Sequence, residues 1–203
     1  TGLDLSIERY LPGGGLVSAG LFHRRIRGLI RNVVSLEAVT WSPVTRWVSR
    51  PANLSGATST GVEFEAKGKI GDWLPAWFDP ATALNVRASL SVYRSSVADI
   101  PGPDNRLESQ QPWAMTMGFD HVVKGTPLTY GASMAVSPAY AVQQTLDQQS
   151  WSGRTRSLDA YVLWAFDKTT VLRVAGNSLL PIEMRNRTRV VSADGLGQSS
   201  ETH

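Results

Sequence analysis

The chain has 203 residues with 20 Lys+Arg against 17 Asp+Glu, no cysteine, 18 Gly and 11 Pro. That is enough for one domain with a sizeable apolar surface, and 42% hydrophobic content is not that of a disordered polymer. The missing cysteine excludes disulfides, thiolate catalysis and Cys-type zinc sites, and a net charge of +3 with no block of like charge argues against a nucleic-acid partner.

Period-two alternation dominates from the start and predicts eight strands. The weaker ones lie at Leu3–Leu11, Gly15–Arg25, Trp113–His121 and Val171–Asn177. The stronger ones set Val62, Phe64, Ala66 and Ile70 against Glu63, Glu65, Lys67 and Lys69, and Leu84, Val86, Ala88, Leu90 and Val92 against Asn85, Arg87, Ser89 and Ser91. Two more begin at Leu128 and Leu158. Each has an apolar face and a more polar one. The longest apolar run, Ala160–Phe166, is far too short for a spanning helix, but a spanning strand needs only about ten residues. No long amphipathic helix is expected.

The connections are unequal. Pro12–Gly14, Lys124–Pro127 and Asp167–Thr169 have the composition of tight turns. Between the hairpins they close lie long polar links, Ile26–Ser59, Ser95–Pro112 and Ser137–Ser157, with an intermediate one at Gly71–Ala83. Short turns at one end of a sheet and long loops at the other is the asymmetry of an outer-membrane barrel. Aromatic residues at the inferred strand ends, Tyr10, Trp73, Trp77, Trp113, Phe119 and Phe166, would serve as interface girdles. A Lys on the lipid side would cost roughly 2–4 kcal/mol at midplane, so Glu63, Glu65, Lys67, Lys69 and Arg87 are assigned to the lumen.

Catalytic signatures are missing: the sequence has no G-x-S-x-G elbow, no phosphate loop and no H-E-x-x-H pair. His23, His121 and His203 are far apart, and no cofactor is implied. Binding candidates fall in the long links, where Trp41, Arg46, Trp47 and Arg50, and then Tyr140, Trp151, Arg154 and Arg156, combine aromatic and guanidinium groups. Such groups hold a flat anionic ligand by stacking and charge-assisted hydrogen bonds. Arginines facing acidic lipopolysaccharide are the alternative.

Several segments resemble a known family, the TonB-dependent outer-membrane receptors. They are Gly20-Leu-Phe-His-Arg-Arg-Ile-Arg-Gly-Leu-Ile-Arg31, Arg50-Pro-Ala-Asn-Leu-Ser-Gly-Ala57 with Thr60-Gly-Val-Glu-Phe-Glu65, Pro101-Gly-Pro-Asp-Asn-Arg-Leu107 with Gln111-Pro-Trp113, and Leu158-Asp-Ala-Tyr-Val-Leu-Trp164 with Asn177-Ser-Leu-Leu180. They occur in the family's order across most of residues 15–180. The resemblance implies an all-β chain: a partial antiparallel transmembrane barrel over residues 1–203, one third of a plugged barrel of about 22 strands. The plug domain and final strand are expected to lie outside it. It further implies a non-enzymatic receptor in the outer membrane of a Gram-negative bacterium. Its partners would be its own plug, the TonB energy-coupling complex, outer-membrane lipid and lipopolysaccharide, and its ligand an iron–siderophore or similar scarce chelate. A passive porin-type barrel and a soluble β-sandwich binding module are the rivals. A plug upstream would separate receptor from porin, and folding without detergent would mark the sandwich.

Overall fold

The computed structural model describes residues 1–181, 185–191 and 197–202. His203 lies outside the described residues. Eight antiparallel strands form one open sheet: β1 (Gly2–Leu11), β2 (Gly15–Glu37), β3 (Arg46–Lys69), β4 (Ala83–Val97), β5 (Trp113–Val122), β6 (Leu128–Ser137), β9 (Thr155–Ala165) and β10 (Val171–Gly176). Their spatial order, β1-β2-β3-β4-β5-β6-β9-β10, follows the chain. A second sheet of four short strands has the order β12-β11-β8-β7. It is made of β7 (Tyr140–Gln143), β8 (Gln148–Ser152), β11 (Asn186–Val191) and β12 (Gly197–Thr202). The only α-helical turn among the described residues is α1 (Ile70–Trp73), in the link between β3 and β4.

Register shows why period two matters. Residues directly opposite across an antiparallel ladder share a face. Ile7 pairs with Ala19, Ala19 with Phe64, Phe64 with Leu90, Leu90 with Met115 and Met115 with Val136. Further along, Ala132 pairs with Ala160, and Val162 with both Tyr130 and Val174. The apolar face thus runs from one edge strand to the other, although the first of these rows ends on Arg156, opposite Val136. The opposite face runs through Ser6, Gly20, Glu63, Ser91 and Ala114, and through Gly118, Ser133 and Asp159. Glu63, Glu65, Lys67, Lys69 and Arg87 all lie on it. The apolar face is exposed, with Leu3 at 71% and Ile7 at 72%. A face of this kind calls for hydrocarbon as its solvent.

The tight turns fall where the sequence puts them, at residues 12–14, 123–127 and 166–170, on the same end of the sheet as α1. At the other end two expectations change. Ile26–Ser59 is no polar link: β2 and β3 stay paired out to Glu37 opposite Arg46, leaving a connection of residues 38–45. Backbone pairing along a hairpin holds the chain extended even where the hydrophobic alternation has lapsed. Ser137–Ser157 contains β7 and β8, too short and polar to register as period two. Girdle assignments divide as well. Trp113 and Phe119 are on the apolar face, and Phe119 meets Tyr130 edge-on at 6.0 Å. Tyr10 instead pairs with Leu16, which pairs with Lys67, so it belongs to the polar face, and its hydroxyl donates to Glu8 Oε2 at 2.9 Å.

A small conventional core occurs only at the loop end among the described residues, where Ala57, Val97 and Ile100 are buried against Ile26, Leu29, Leu54 and Leu107. Ile26 has the parity of the polar face and Leu29 the opposite one. Gly28, at φ +64° between them, resets the alternation so that both reach the same core.

Candidate functional site: the polar wall and its loop-side cover

On the polar face a chain of side chains crosses five strands. Arg87 of β4 forms an ion pair with Asp120 of β5, and Asp120 also accepts the Tyr161 hydroxyl of β9. The Arg173 guanidinium of β10 sits 5.4 Å from the Tyr161 ring centre. Two glycines make this possible. A Cβ at Gly118 would lie 3.0 Å from the Arg87 guanidinium, and one at Gly131 of β6 would lie 2.7 Å from both Asp120 and Tyr161. The long side chains therefore lie flat across the strands. Ser89 and Thr116 bond through their hydroxyls at 2.6 Å beside them. A charged network of this sort is tolerated only on a wet or protein-covered face.

Towards the loop end the same face carries a cavity of about 570 Å3. Phe22 and Tyr93 line it with ring centres 6.1 Å apart, and Arg24 lies 5.1 Å over Phe22 while reaching Asp4 at 3.6 Å. Glu63 lines the wall below, and Leu107, Gln110 and Gln111 roof it. The roof is tied down. Leu107 N–H donates to Ser95 Oγ at 2.9 Å, the Gln110 amide donates to Ser59 Oγ at 3.0 Å, and Asn105 donates to the Val97 and Ile100 carbonyls at 3.1 and 2.8 Å. Asp99 closes the base of this link onto β3, accepting Ser55 N–H and, at 2.8 Å, its hydroxyl. Both bonds favour the ionised carboxylate and lower its pKa, the backbone bond first.

Arg31 joins the loop-side segments to one another. Its side chain, 3% exposed, pairs with Glu108 at 2.9 Å. It also donates to the carbonyls of Arg106 at 3.1 Å, Gln144 at 2.9 Å and Gln143 at 3.4 Å. One guanidinium from the β2 extension thus binds the β4–β5 link and the turn between β7 and β8. A planar five-donor fork suits that task where an ammonium would not.

The residues singled out from the sequence fall into two groups. Trp41 is 71% exposed in the turn between β2 and β3. Arg46, Trp47 and Arg50 are among the first five residues of β3 rather than in a loop. Arg46 donates to Ser42 Oγ at 3.0 Å, and Arg50 is held by Glu37 at 3.1 Å. The Ser35 hydroxyl and then Arg50 lower the Glu37 pKa. In the second group Tyr140 is on β7, Trp151 on β8 and Arg154 in the β8–β9 connection. Arg156, on β9, pairs with Val136 and so has the parity of the apolar face, away from the polar wall. No cavity described is lined by both groups. His23 bonds Thr60 at 2.8 Å and His121 bonds Tyr130 at 3.0 Å, on different strands, and no metal-binding group of three or more residues occurs among the described residues.

Sequence reasoning passed over Phe22, Tyr93, Gln110 and Arg31. The first two had a readable signal, since each is a large aromatic on the polar parity of an alternating strand. Gln110 and Arg31 had none, because their partners lie 51 and 75–113 residues away.

Comparison with curated proteins and with solved structures returns no match. A family model does match: the TonB dependent receptor-like β-barrel covers residues 1–177, which is all eight strands of the large sheet. That family is one of receptors and transporters, and membership implies a plug domain, a TonB partner and an outer-membrane setting. The chain belongs to the TonB-dependent receptor β-barrel family.

Proposed function

We propose that the chain is a wall segment of an active-transport receptor in the outer membrane of a Gram-negative bacterium, taking up an iron–siderophore or similar scarce chelate. Its apolar face meets lipid and its polar face, with Glu63, Glu65, Lys67, Lys69 and Arg87, meets the plug and the passing ligand. Ligand is released inward when the TonB complex pulls on the plug, and no bond is made or broken in that act.

One observation carries the ligand reading: the roofed cavity on the polar face beside Phe22 and Tyr93. Stacking on two rings selects a flat, unsaturated ligand. Arg24, Gln110 and Gln111 supply donors and Asp4 and Glu63 acceptors, a mixture that favours a chelate rich in amide and hydroxyl groups over a polyanion. Trp41, Arg46, Trp47 and Arg50 on the protruding hairpin make first contact, while Tyr140 sits on the neighbouring small sheet. The test is uptake of 55Fe supplied as a panel of hydroxamate, catecholate and citrate chelates, in cells whose only receptor is the one containing this chain. TonB-dependent uptake of at least one chelate, weakened by Tyr93→Ala, is expected. Failure of every chelate to accumulate contradicts the iron reading.

A further inference from the structure

The small sheet has one buried face and one open one. Val142, Gln148 and Val190 are buried on the first. On the second, Trp151 of β8 stands opposite Arg187 of β11, Gln149 opposite Arg189, and Glu201 of β12 opposite Arg187 from the other side. Arg185 continues the row just before β11, and its carbonyl accepts the Gly153 N–H at 2.7 Å. A Cβ at Gly153 would lie 3.0 Å from that carbonyl oxygen, so the glycine lets the two segments close up. These residues line an open cavity of about 400 Å3, within the range of small-ligand sites. What the face leaves unpaired matters as much as its shape. Among the described residues no ion pair engages Arg185, Arg187 or Arg189, although Glu201 is so near in register. No cation–π contact covers Trp151 among them either, and it is 39% exposed. Three guanidinium groups on alternate residues, about 7 Å apart along the chain, therefore flank one bare indole ring.

We propose that this face binds a carboxylate-bearing sugar of a soluble acidic polysaccharide. The inference rests on the outer-membrane reading, which puts the small sheet at the cell surface, but not on the chelate, whose cavity beside Phe22 and Tyr93 belongs to the other sheet. It moves Trp151 from the transported ligand to the glycan. Arginine forks clasp carboxylates through two parallel hydrogen bonds. The electron-rich indole face meets the C–H groups on the flat side of a sugar ring. Glu201 and the Gln149 amide accept from the sugar's hydroxyls. A nucleic acid fits less well. Its successive bases need several stacking rings, whereas Trp151 is the one aromatic residue in this lining, and Glu201 repels phosphate. A lipid anion fits less well too, because no other apolar side chain lines the cavity and an acyl chain has nowhere to lie.

The experiment uses the full-length receptor carrying this chain, inserted in phosphatidylcholine nanodiscs, with insertion scored separately by heat-modifiable mobility. Calorimetric titration compares tetragalacturonate, four carboxylate-bearing sugars, with the neutral maltotetraose. The acidic tetramer is expected to bind about tenfold more tightly. Arg185→Gln with Arg187→Gln removes that preference. Trp151→Ala weakens binding of the acidic tetramer about tenfold, and Trp151→Phe keeps most of it. Equal affinity of inserted receptor for the two tetramers overturns the inference alone, as does an arginine double variant that binds like the parent. Tighter binding of an oligothymidylate, or of the lipid-free lipopolysaccharide core, overturns it as well. A receptor that fails to insert overturns this inference and the outer-membrane reading together.

Discussion

The eight-strand wall and the structure that covers its loop end are built on different physics. In the wall every side chain belongs to one of two faces, and the apolar one is left open: Leu5 is 68% exposed, Phe64 49% and Val174 64%. Ladder hydrogen bonds hold the strands, and a face so exposed calls for hydrocarbon where a packed core would serve elsewhere. The loop end has the opposite economy. It buries Val97 completely and shields Ala57 and Ile100, and it invests a buried guanidinium, Arg31, in joining three segments. The wall is specified by a repeating pattern, the cover by individual contacts. A substitution in the wall should therefore be felt according to which face it lands on, and one in the cover according to which partners it orphans.

The largest expected effect separates the two faces of the wall. Leu90 shares the apolar row with Phe64 and Met115, while Ser89 is its neighbour on the other side. Leu90→Arg is expected to destabilise the inserted receptor by roughly 2–4 kcal/mol and Ser89→Arg by less than about 1 kcal/mol. Urea unfolding in lipid vesicles reads both, and equal costs would mean that the parity has no lipid-facing meaning.

A smaller loss, confined to the cover, is expected from Arg31→Ala. It leaves the carbonyls of Arg106 and Gln144 without their donor and Glu108 without its cation. Local protection should fall by about 1–3 kcal/mol. Hydrogen exchange is expected to rise at residues 98–112 and 140–148 while β5 and β6 stay protected. Faster exchange throughout the wall would show that the two regions are not separable.

How legible each region was follows from the same contrast. All eight wall strands can be found by counting alternate residues, as where Glu63, Glu65, Lys67 and Lys69 answer Val62, Phe64, Ala66 and Gly68 one for one. The cover resists that method. Tyr140–Gln143 and Gln148–Ser152 become strands only by pairing with each other and with β11, which begins 34 residues after β8 ends. The β2–β3 hairpin outlasts its own alternation, and Gly28 shifts the parity so that Leu29 faces the core that Ile26 faces. Arg31 looked like one more basic residue in a polar stretch. Its role comes from contacts between segments that only the fold brings together.

The smallest predicted effect lies at the tight-turn end. Asp167 accepts from Thr169 and Thr170 in the β9–β10 turn, and those bonds, that of the Thr169 hydroxyl foremost, bring its pKa down to about 2 from 3.8. A carboxyl whose folded pKa is depressed contributes stability above its unfolded value and loses it as pH falls towards the folded one. Amide protection at Thr169 and Thr170 is thus expected to be constant above about pH 5 and to decline from about pH 4 to about pH 2. Asp167→Asn should flatten that decline. An unchanged decline in the variant would place its origin in another carboxyl.

The central claim is that one face of this sheet meets hydrocarbon and the other meets water or protein. The chain contains no cysteine, so single cysteines can be placed on β4 without removing any from it. Spin labels at residues 86–92 of the full-length receptor in vesicles, relaxed by oxygen or by a water-soluble nickel complex, report each face directly. The account predicts a period of two, with positions 86, 88, 90 and 92 accessible to oxygen and positions 87, 89 and 91 shielded from it. Oxygen accessibility without alternation, or nickel access to positions 86, 88, 90 and 92, would contradict it.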